Sequence, residues 1–221
     1  MTRGRLQRWA VAGLLAVSGP DAGAMGGHFD VDDASVLGPG RCQVELWWLH
    51  GQAAQLLHAG PGCRAGPVEL ALALDRVRRD DERDRIAGAQ AKWVTAWVPD
   101  VLDIGAVLVA AHDKPRDFTL FTAYVPITWT LHPALQLHAN LGADRTTDGR
   151  HAKRIGAAGE WALDDRWSLL AERLHALEVI STRVGLRWSL SEQSSIDLSL
   201  ARLSGSGKRL GGLGWTFEWG R

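Results

Sequence analysis

Charged residues that recur at every second position are the first candidates for chemistry in this sequence. In residues 179–190, Arg183 and Arg187 share one face of an alternating pattern, and Val184 and Leu186 share the other. A period of two is typical of a β-strand with one polar and one apolar face. Arginines along the polar face would attract anionic solutes, or would pair with carboxylates in a structural network. The sequence leaves both interpretations open.

Two further groups have the residue types of a reactive site. Asp30, Asp32 and Asp33 form an acidic patch that suits a divalent cation, but the spaced glycine and distal glutamate of a calcium loop are missing. Turn capping by these side chains is the preferred interpretation. His138 and Asn140 lie two apart on one strand face, yet no Gly-x-Ser-x-Gly motif supplies a nucleophile. We therefore expect no catalytic residue, no metal site and no cofactor.

The N-terminus has the order of a secretory signal peptide. Arg3, Arg5 and Arg8 precede an apolar run over residues 9–17, and residues 22–24 (Ala-Gly-Ala) have the small side chains of a cleavage site. Residues 1–24 are predicted to be this signal, with a buried N-terminal helix as the alternative. Residues 25–40 are predicted to be a periplasmic lead-in or plug segment.

From residue 41 onward, segments of about ten residues with alternating hydrophobicity are separated by polar or Gly/Pro/Asp-rich breaks, which is the signature of membrane strands. We predict an all-β fold, an antiparallel up-and-down transmembrane β-barrel of about twelve strands over residues 41–221. The predicted strands are 41–49, 52–58, 63–75, 86–98, 101–112, 118–129, 134–143, 151–163, 166–175, 179–190, 194–203 and 208–219. The charged stretches 76–85 and 144–151 are predicted to be outer loops.

Tryptophan placement is an independent indication, because indole rings prefer the interface between lipid and water. Several tryptophans fall near the predicted periplasmic strand ends and are expected to form one membrane girdle: Trp97, Trp129, Trp161, Trp167, Trp188, Trp215 and Trp219. A soluble β-sandwich would also show alternation, but it gives no reason for tryptophans to collect at one end of the strands.

If the apolar faces contact lipid, the opposite faces line the lumen. The side chains predicted to face the lumen and any solute are Glu45, Glu69, Lys92, Asp103, Tyr124, His138, Asn140, Arg154, Glu160, Arg183, Arg187 and Glu218. Both signs of charge are present, so opposite charges could pair and narrow the bore.

The start of the predicted barrel resembles a known family. Asp32, Asp33 and Ala34 precede a Gly-x-Gly turn at residues 38–40, and a strand with Gln43 and Glu45 follows. This stretch is similar to the outer-membrane β-barrel family named for meta-pathway phenol degradation. The resemblance implies a pore or uptake route for small molecules such as aromatic compounds.

The two cysteines, Cys42 and Cys63, are a predicted disulfide, because an exported chain meets the oxidising periplasm. The predicted strands place a third strand between them. That separation, about 10 Å, exceeds disulfide reach unless the strand ends curl past the ladder.

The predicted function is a passive channel or uptake route for small solutes in the bacterial outer membrane. A structural or plugged barrel without transport is the alternative, and an outer-membrane lipid hydrolase or deacylase using Ser168 or Ser181 is the third. The expected partners are outer-membrane lipid, the outer-membrane assembly machinery and a small-molecule solute. Balanced formal charge, with 25 basic and 25 acidic residues, does not indicate a nucleic-acid partner.

Overall fold

Twelve antiparallel strands close into one barrel in the computed structural model, which describes residues 28–52, 54–79, 82–204 and 206–220. The strands are β1 (Arg41–Gly51), β2 (Gln55–Ala65), β3 (Val68–Arg79), β4 (Glu82–Val98), β5 (Leu102–Asp113), β6 (Phe118–His132), β7 (Leu135–Thr146), β8 (His151–Ala162), β9 (Trp167–Ala176), β10 (Val179–Ser191), β11 (Ser194–Leu203) and β12 (Arg209–Gly220). Each strand pairs with the next, and β12 pairs with β1. The predicted fold class and strand number are confirmed. The predicted signal peptide lies outside the described residues.

Alternation along each strand separates an inner face from an outer face. In β10, Arg183 is 1% exposed whereas its neighbour Val184 is 52% exposed. Large apolar side chains such as Leu108 and Leu200 cover the outer surface, at 63% and 68% exposure. An apolar surface of this extent suits contact with lipid. In the described part of the chain, no helix is long and apolar enough to cross a membrane.

The second strand lies later in the sequence than predicted. It was expected at residues 52–58 but spans Gln55–Ala65, and the turn that follows is at residues 66–67. The alternation there is weak because the inward positions include His58, Gly60 and Gly62, whose side chains do not differ clearly in polarity from those on the outward face.

The predicted outer loop at residues 76–85 is also wrong. β3 continues to Arg79 and β4 starts at Glu82. Arg76 and Arg78 are exposed on the outer face, while the intervening Val77 is completely buried. Arg79 and Asp84 are buried on the inner face, so the charge density of this stretch comes from both faces of two strands and does not mark a loop. Likewise β7 continues to Thr146, into the predicted loop 144–151.

The disulfide between Cys42 and Cys63 is present, with a Cα–Cα distance of 4.0 Å. No third strand separates the cysteines, because the strand predicted at residues 52–58 continues to Ala65 as β2. Cys63 belongs to β2 and lies directly opposite Cys42 in the β1–β2 ladder. The shift of β2 along the sequence removes the 10 Å separation that the earlier strand assignment implied.

The predicted girdle tryptophans lie near the barrel end where β1 begins and β12 ends. Six of them are 37–69% exposed on the outer surface: Trp97, Trp129, Trp161, Trp188, Trp215 and Trp219. Trp167 stacks on Trp188 with ring centroids 5.6 Å apart. Trp47 differs, since it points inward, is 3% exposed and stacks on His58.

Candidate functional site in the barrel interior

Residues 28–38, which precede β1 in the described part of the chain, lie inside the barrel. Residues 28–38, here the inner segment, contact wall strands in nearly descending order along the inner surface. His28 contacts Ser199 of β11, Asp30 contacts β9 and β10, and Leu37 contacts Glu69 of β3. The segment therefore follows the inner wall through most of a circuit before it joins β1.

Wall side chains bind the backbone of the inner segment. Glu172 accepts the N–H groups of Asp30 (3.0 and 2.8 Å) and Val31 (2.8 Å). Asn140 accepts the N–H of Asp32 at 2.8 Å and donates to its carbonyl at 2.7 Å. Buried backbone groups need partners, and the segment has no strand partner of its own. The wall supplies the hydrogen bonds that a β-ladder would otherwise provide.

Three more wall side chains continue this pattern towards β1. Thr128 Oγ1 accepts the N–H of Ala34 at 2.7 Å, and Glu69 Oε2 accepts that of Leu37 at 2.8 Å. Arg64 donates to the carbonyl of Leu37 at 2.8 Å.

The aspartates of the inner segment pair with cations of the wall. Arg183 Nη2 lies 3.0 Å from both carboxylate oxygens of Asp30. Lys92 Nζ lies 3.0 Å from Asp32 Oδ1 and 3.1 Å from Asp33 Oδ1. Tyr124 donates its hydroxyl to Asp32 Oδ2 at 2.8 Å. The acidic patch is thus split between two basic partners.

Burial changes the pKa values of these aspartates. Burial raises the pKa of Asp32 to about 6, although Lys92 opposes the shift. The pKa of Asp30 is also raised by burial, against the effect of Arg183. Burial acts in the same direction on Asp33, but Lys92 and His138 outweigh it and lower its pKa. The negative charge of Asp33 also raises the pKa of Asp32, so Asp33 ionises more readily than Asp32.

Glycines in the wall make room for the inner segment. A Cβ at Gly156 of β8 would lie 2.8 Å from Val31 Cγ2. A Cβ at Gly214 of β12 would lie 2.7 Å from His28 Nδ1. Real Cβ atoms do not make such close contacts, so the glycines and the segment are sterically matched.

The other predicted lumen residues also face the interior. Arg187 Nε lies 2.7 Å from Asp197, and Arg154 lies 3.7 Å from Asp144 and over the Tyr124 ring. The arginines thus have carboxylate partners, which is the ion-pair arrangement of the two that the sequence left open. Placement of the remaining predicted side chains is as follows: Glu45 is completely buried, His138 binds Thr128 at 2.9 Å, Glu160 lies 4.0 Å from Arg187, Asp103 is half-buried, and Glu218 binds Arg41 at 3.4 Å.

Apolar side chains fill the interior at the opposite end of the barrel. The buried cluster contains Trp47, Leu49, Ala54, Leu56, Val77, Ile86, Ala201, Leu203 and Leu210. At the rim beside it, Arg116 lies 3.0 Å from Asp84 and 3.2 Å from Asp113, and Arg79 also pairs with Asp84. The interior therefore has a charged half that holds the inner segment and an apolar half.

Glu172 binds the inner segment but was missed by the sequence pattern, as were Thr128, Arg64 and Ser199. It shares the inner face of β9 with Leu170 and Leu174, which are completely buried or nearly so. These leucines pack near Phe29 and Val31 of the inner segment. Because these leucines occupy inward positions of β9, the inner face of this strand does not look polar in the sequence. The available signal was that Glu172 and Arg173 are adjacent in an alternating stretch, so one of the two charged side chains must face the interior.

A known sequence family matches most of this chain. The sequence family described as "Uncharacterised conserved protein UCP029691" matches residues 13–215. The chain belongs to this family. No curated protein sequence matches this member of UCP029691 significantly.

Solved structures share the fold of this UCP029691 protein at low sequence identity. The KdgM porin in complex with disordered oligogalacturonate has a TM-score of 0.69 at 8% identity, covering 79% of this chain and 98% of the porin. The NanC porin has a TM-score of 0.63 at 9% identity, with coverage of 80% and 98%. Omp33 of Acinetobacter baumannii has a TM-score of 0.51 at 11% identity, with coverage of 81% and 98%. At these identities the similarity establishes the fold alone.

Proposed function

We propose that this protein is an outer-membrane channel for small solutes and that its inner segment closes the bore at rest. The observation that carries the proposal is the position of residues 28–38, which occupy the interior of a porin-type barrel. Hydrogen bonds and ion pairs with wall side chains hold the segment there.

The chemistry of these contacts supports reversible closure. Glu172, Asn140, Thr128 and Glu69 bind the segment through polar groups that water or a polar solute can also satisfy. When the segment leaves, the charged half of the interior becomes a water-filled, polar passage. A bore closed throughout by apolar side chains could not make this exchange.

The charge of the interior indicates which solutes would pass. Among the described residues, the buried cations of the wall are Arg79, Lys92, Arg154, Arg183 and Arg187. The buried wall carboxylates are more numerous and include Glu45, Glu69, Asp144, Glu172 and Asp197. A bore with excess carboxylates favours cations over anions. We therefore propose neutral or cationic small solutes, and the aromatic solutes implied by the phenol-degradation resemblance remain a prediction.

Membrane insertion completes the proposal. The outer face of β12 carries Trp215, Phe217 and Trp219 in one stacked row, with neighbouring ring centroids 5.9 and 6.2 Å apart. We propose that outer-membrane lipid surrounds the apolar belt and that the outer-membrane assembly machinery recognises this aromatic C-terminal strand.

A permanently closed barrel without transport is the second candidate. The apolar cluster around Leu49, Val77 and Leu203 favours it, because these buried side chains fill the far end of the interior. Transport by the channel proposed above therefore requires this cluster to separate as well as the inner segment to move.

Solute efflux from proteoliposomes distinguishes the two candidates. Glu172→Gln weakens three hydrogen bonds to the inner segment, whereas Glu192→Gln makes the same chemical change in an exposed turn. We expect faster efflux of a small neutral sugar from Glu172→Gln vesicles, with wild type and Glu192→Gln equal and slow. Equal rates for all three folded proteins would favour the permanently closed barrel.

A further inference from the structure

A groove of about 450 Å³ opens on the outer face of β2 to β5, near the turn between β3 and β4. Leu57, Ala59, Leu74 and Ala87 form its apolar surface. The lining also contains the hydrogen-bonded pair His58 and Asp75 at the wall, and the basic residues Arg76, Arg85, His112 and Lys114. The groove therefore combines an apolar surface with a positive end.

Like charges face each other across the β3–β4 ladder at this groove. Arg76 is directly opposite Arg85, and Arg78 is directly opposite Arg83. Like charges at directly opposite positions destabilise a β-sheet. Within the described ranges, these four arginines have no ion-pair partner. An anion bound between them would remove this repulsion.

The nearby described carboxylates are engaged elsewhere. Asp75 binds His58 at 2.6 Å on the inner side of the wall. Asp84 and Asp113 pair with Arg116, and Glu82 binds Arg116 at 3.0 Å. The two residues between β3 and β4, Asp80 and Asp81, lie outside the described residues.

We propose that this groove binds a phosphorylated lipid of the outer leaflet. The phosphate lies between Arg76 and Arg85, with Lys114 beside it, and an acyl chain lies along Leu57 and Leu74. Guanidinium groups suit phosphate because they donate two parallel hydrogen bonds. The groove is at the barrel end opposite the tryptophan girdle, which is where outer-leaflet headgroups would meet the wall.

Native mass spectrometry of the full chain in detergent, titrated with lipid A as the diphosphorylated probe, tests the proposal. Arg76→Ala/Arg85→Ala is expected to weaken lipid binding about 30-fold, since each basic residue near an anionic lipid contributes about 1 kcal/mol. Without lipid, this variant should unfold at the same temperature as wild type or higher, because the like-charge repulsion is gone.

The matched control is Arg202→Ala/Arg209→Ala. These arginines are also directly opposite each other on the outer face, across β11 and β12. We expect this variant to bind lipid A as wild type does. Equal weakening in both variants, no binding by wild type, or equal competition by the same concentration of inorganic phosphate would overturn the proposal of a lipid site.

Discussion

Arg183 holds Asp30 inside the barrel, with one guanidinium nitrogen 3.0 Å from each carboxylate oxygen of the aspartate. The same arginine lies 3.4 Å from Glu172, whose carboxylate accepts the backbone N–H groups of the inner segment. One cation thus neutralises two carboxylates, one from the segment and one from the wall. This three-residue cluster joins the segment to β9 and β10.

The two partners of this pair are predicted to respond unequally to substitution. Arg183→Met leaves Asp30 and Glu172 buried without their cation, which should destabilise the protein by about 3–5 kcal/mol. Asp30→Asn should cost much less, because burial already raises the pKa of Asp30 and an amide still accepts a hydrogen bond. Denaturant unfolding measures both. As a control, Arg150→Ala breaks an exposed ion pair with Asp148 and should cost about 0–1 kcal/mol. Similar losses for Arg183→Met and Asp30→Asn would contradict this account.

Wall glycines should control docking of the inner segment. Gly156→Ala places a Cβ against Val31, and overpacking of this kind costs about 1–3 kcal/mol. We expect faster hydrogen exchange at the backbone N–H groups of residues 30–37. Gly211→Ala is the control, since the nearest atom to its Cβ is 3.8 Å away. Unchanged exchange in a folded Gly156→Ala protein would show that the segment and wall are not sterically matched.

Docking of the segment should strengthen as the pH falls. The pKa of Asp32 rises from 3.8 to about 6 through burial, so the docked state binds a proton more tightly than the free segment. The contribution of Asp32 is therefore most favourable below pH 3.8 and is lost as the pH rises through 6.

Lys92, Tyr124, Asp33 and Glu69 surround Asp32, so a variant is needed to isolate its contribution. The ratio of undocked to docked segment should be about tenfold lower at pH 5 than at pH 7 in wild type. Asp32→Asn should lack this part of the dependence. Channel open probability measures the effect, and opening on acidification that disappears in Asp32→Asn would reverse the predicted sign.

The Cys42–Cys63 disulfide should stabilise the β1–β2 edge. It closes a loop of 21 residues in sequence, for which a loss of about 3 kcal/mol on removal is typical. Cys42→Ala/Cys63→Ala should unfold at lower denaturant concentration, and the single variant Cys63→Ala should match it. Thiol titration of denatured, unreduced wild type should find no free thiol. Two free thiols would contradict the bridge.

Period-two hydrophobicity was sufficient to predict the barrel, because most strands have one apolar face against lipid. It failed where other demands act on a strand. Inward His58 and two glycines obscured β2, and outward Arg76 and Arg85 made a strand resemble a loop. Glu172 was missed because leucines beside it pack against the inner segment. The path of residues 28–38 depends on polar contacts with eight wall strands, which no local pattern encodes.

Single-channel recording of Lys92→Met tests the central claim, that ion pairs of the inner segment close the bore. Lys92 is completely buried against Asp32 and Asp33, so its loss leaves two buried carboxylates without their cation. Lys153→Met makes the same change on the exposed outer face of β8. The account predicts rare openings for wild type and Lys153→Met, and frequent openings for Lys92→Met. Equal conductance and equal open probability in all three folded proteins would contradict it.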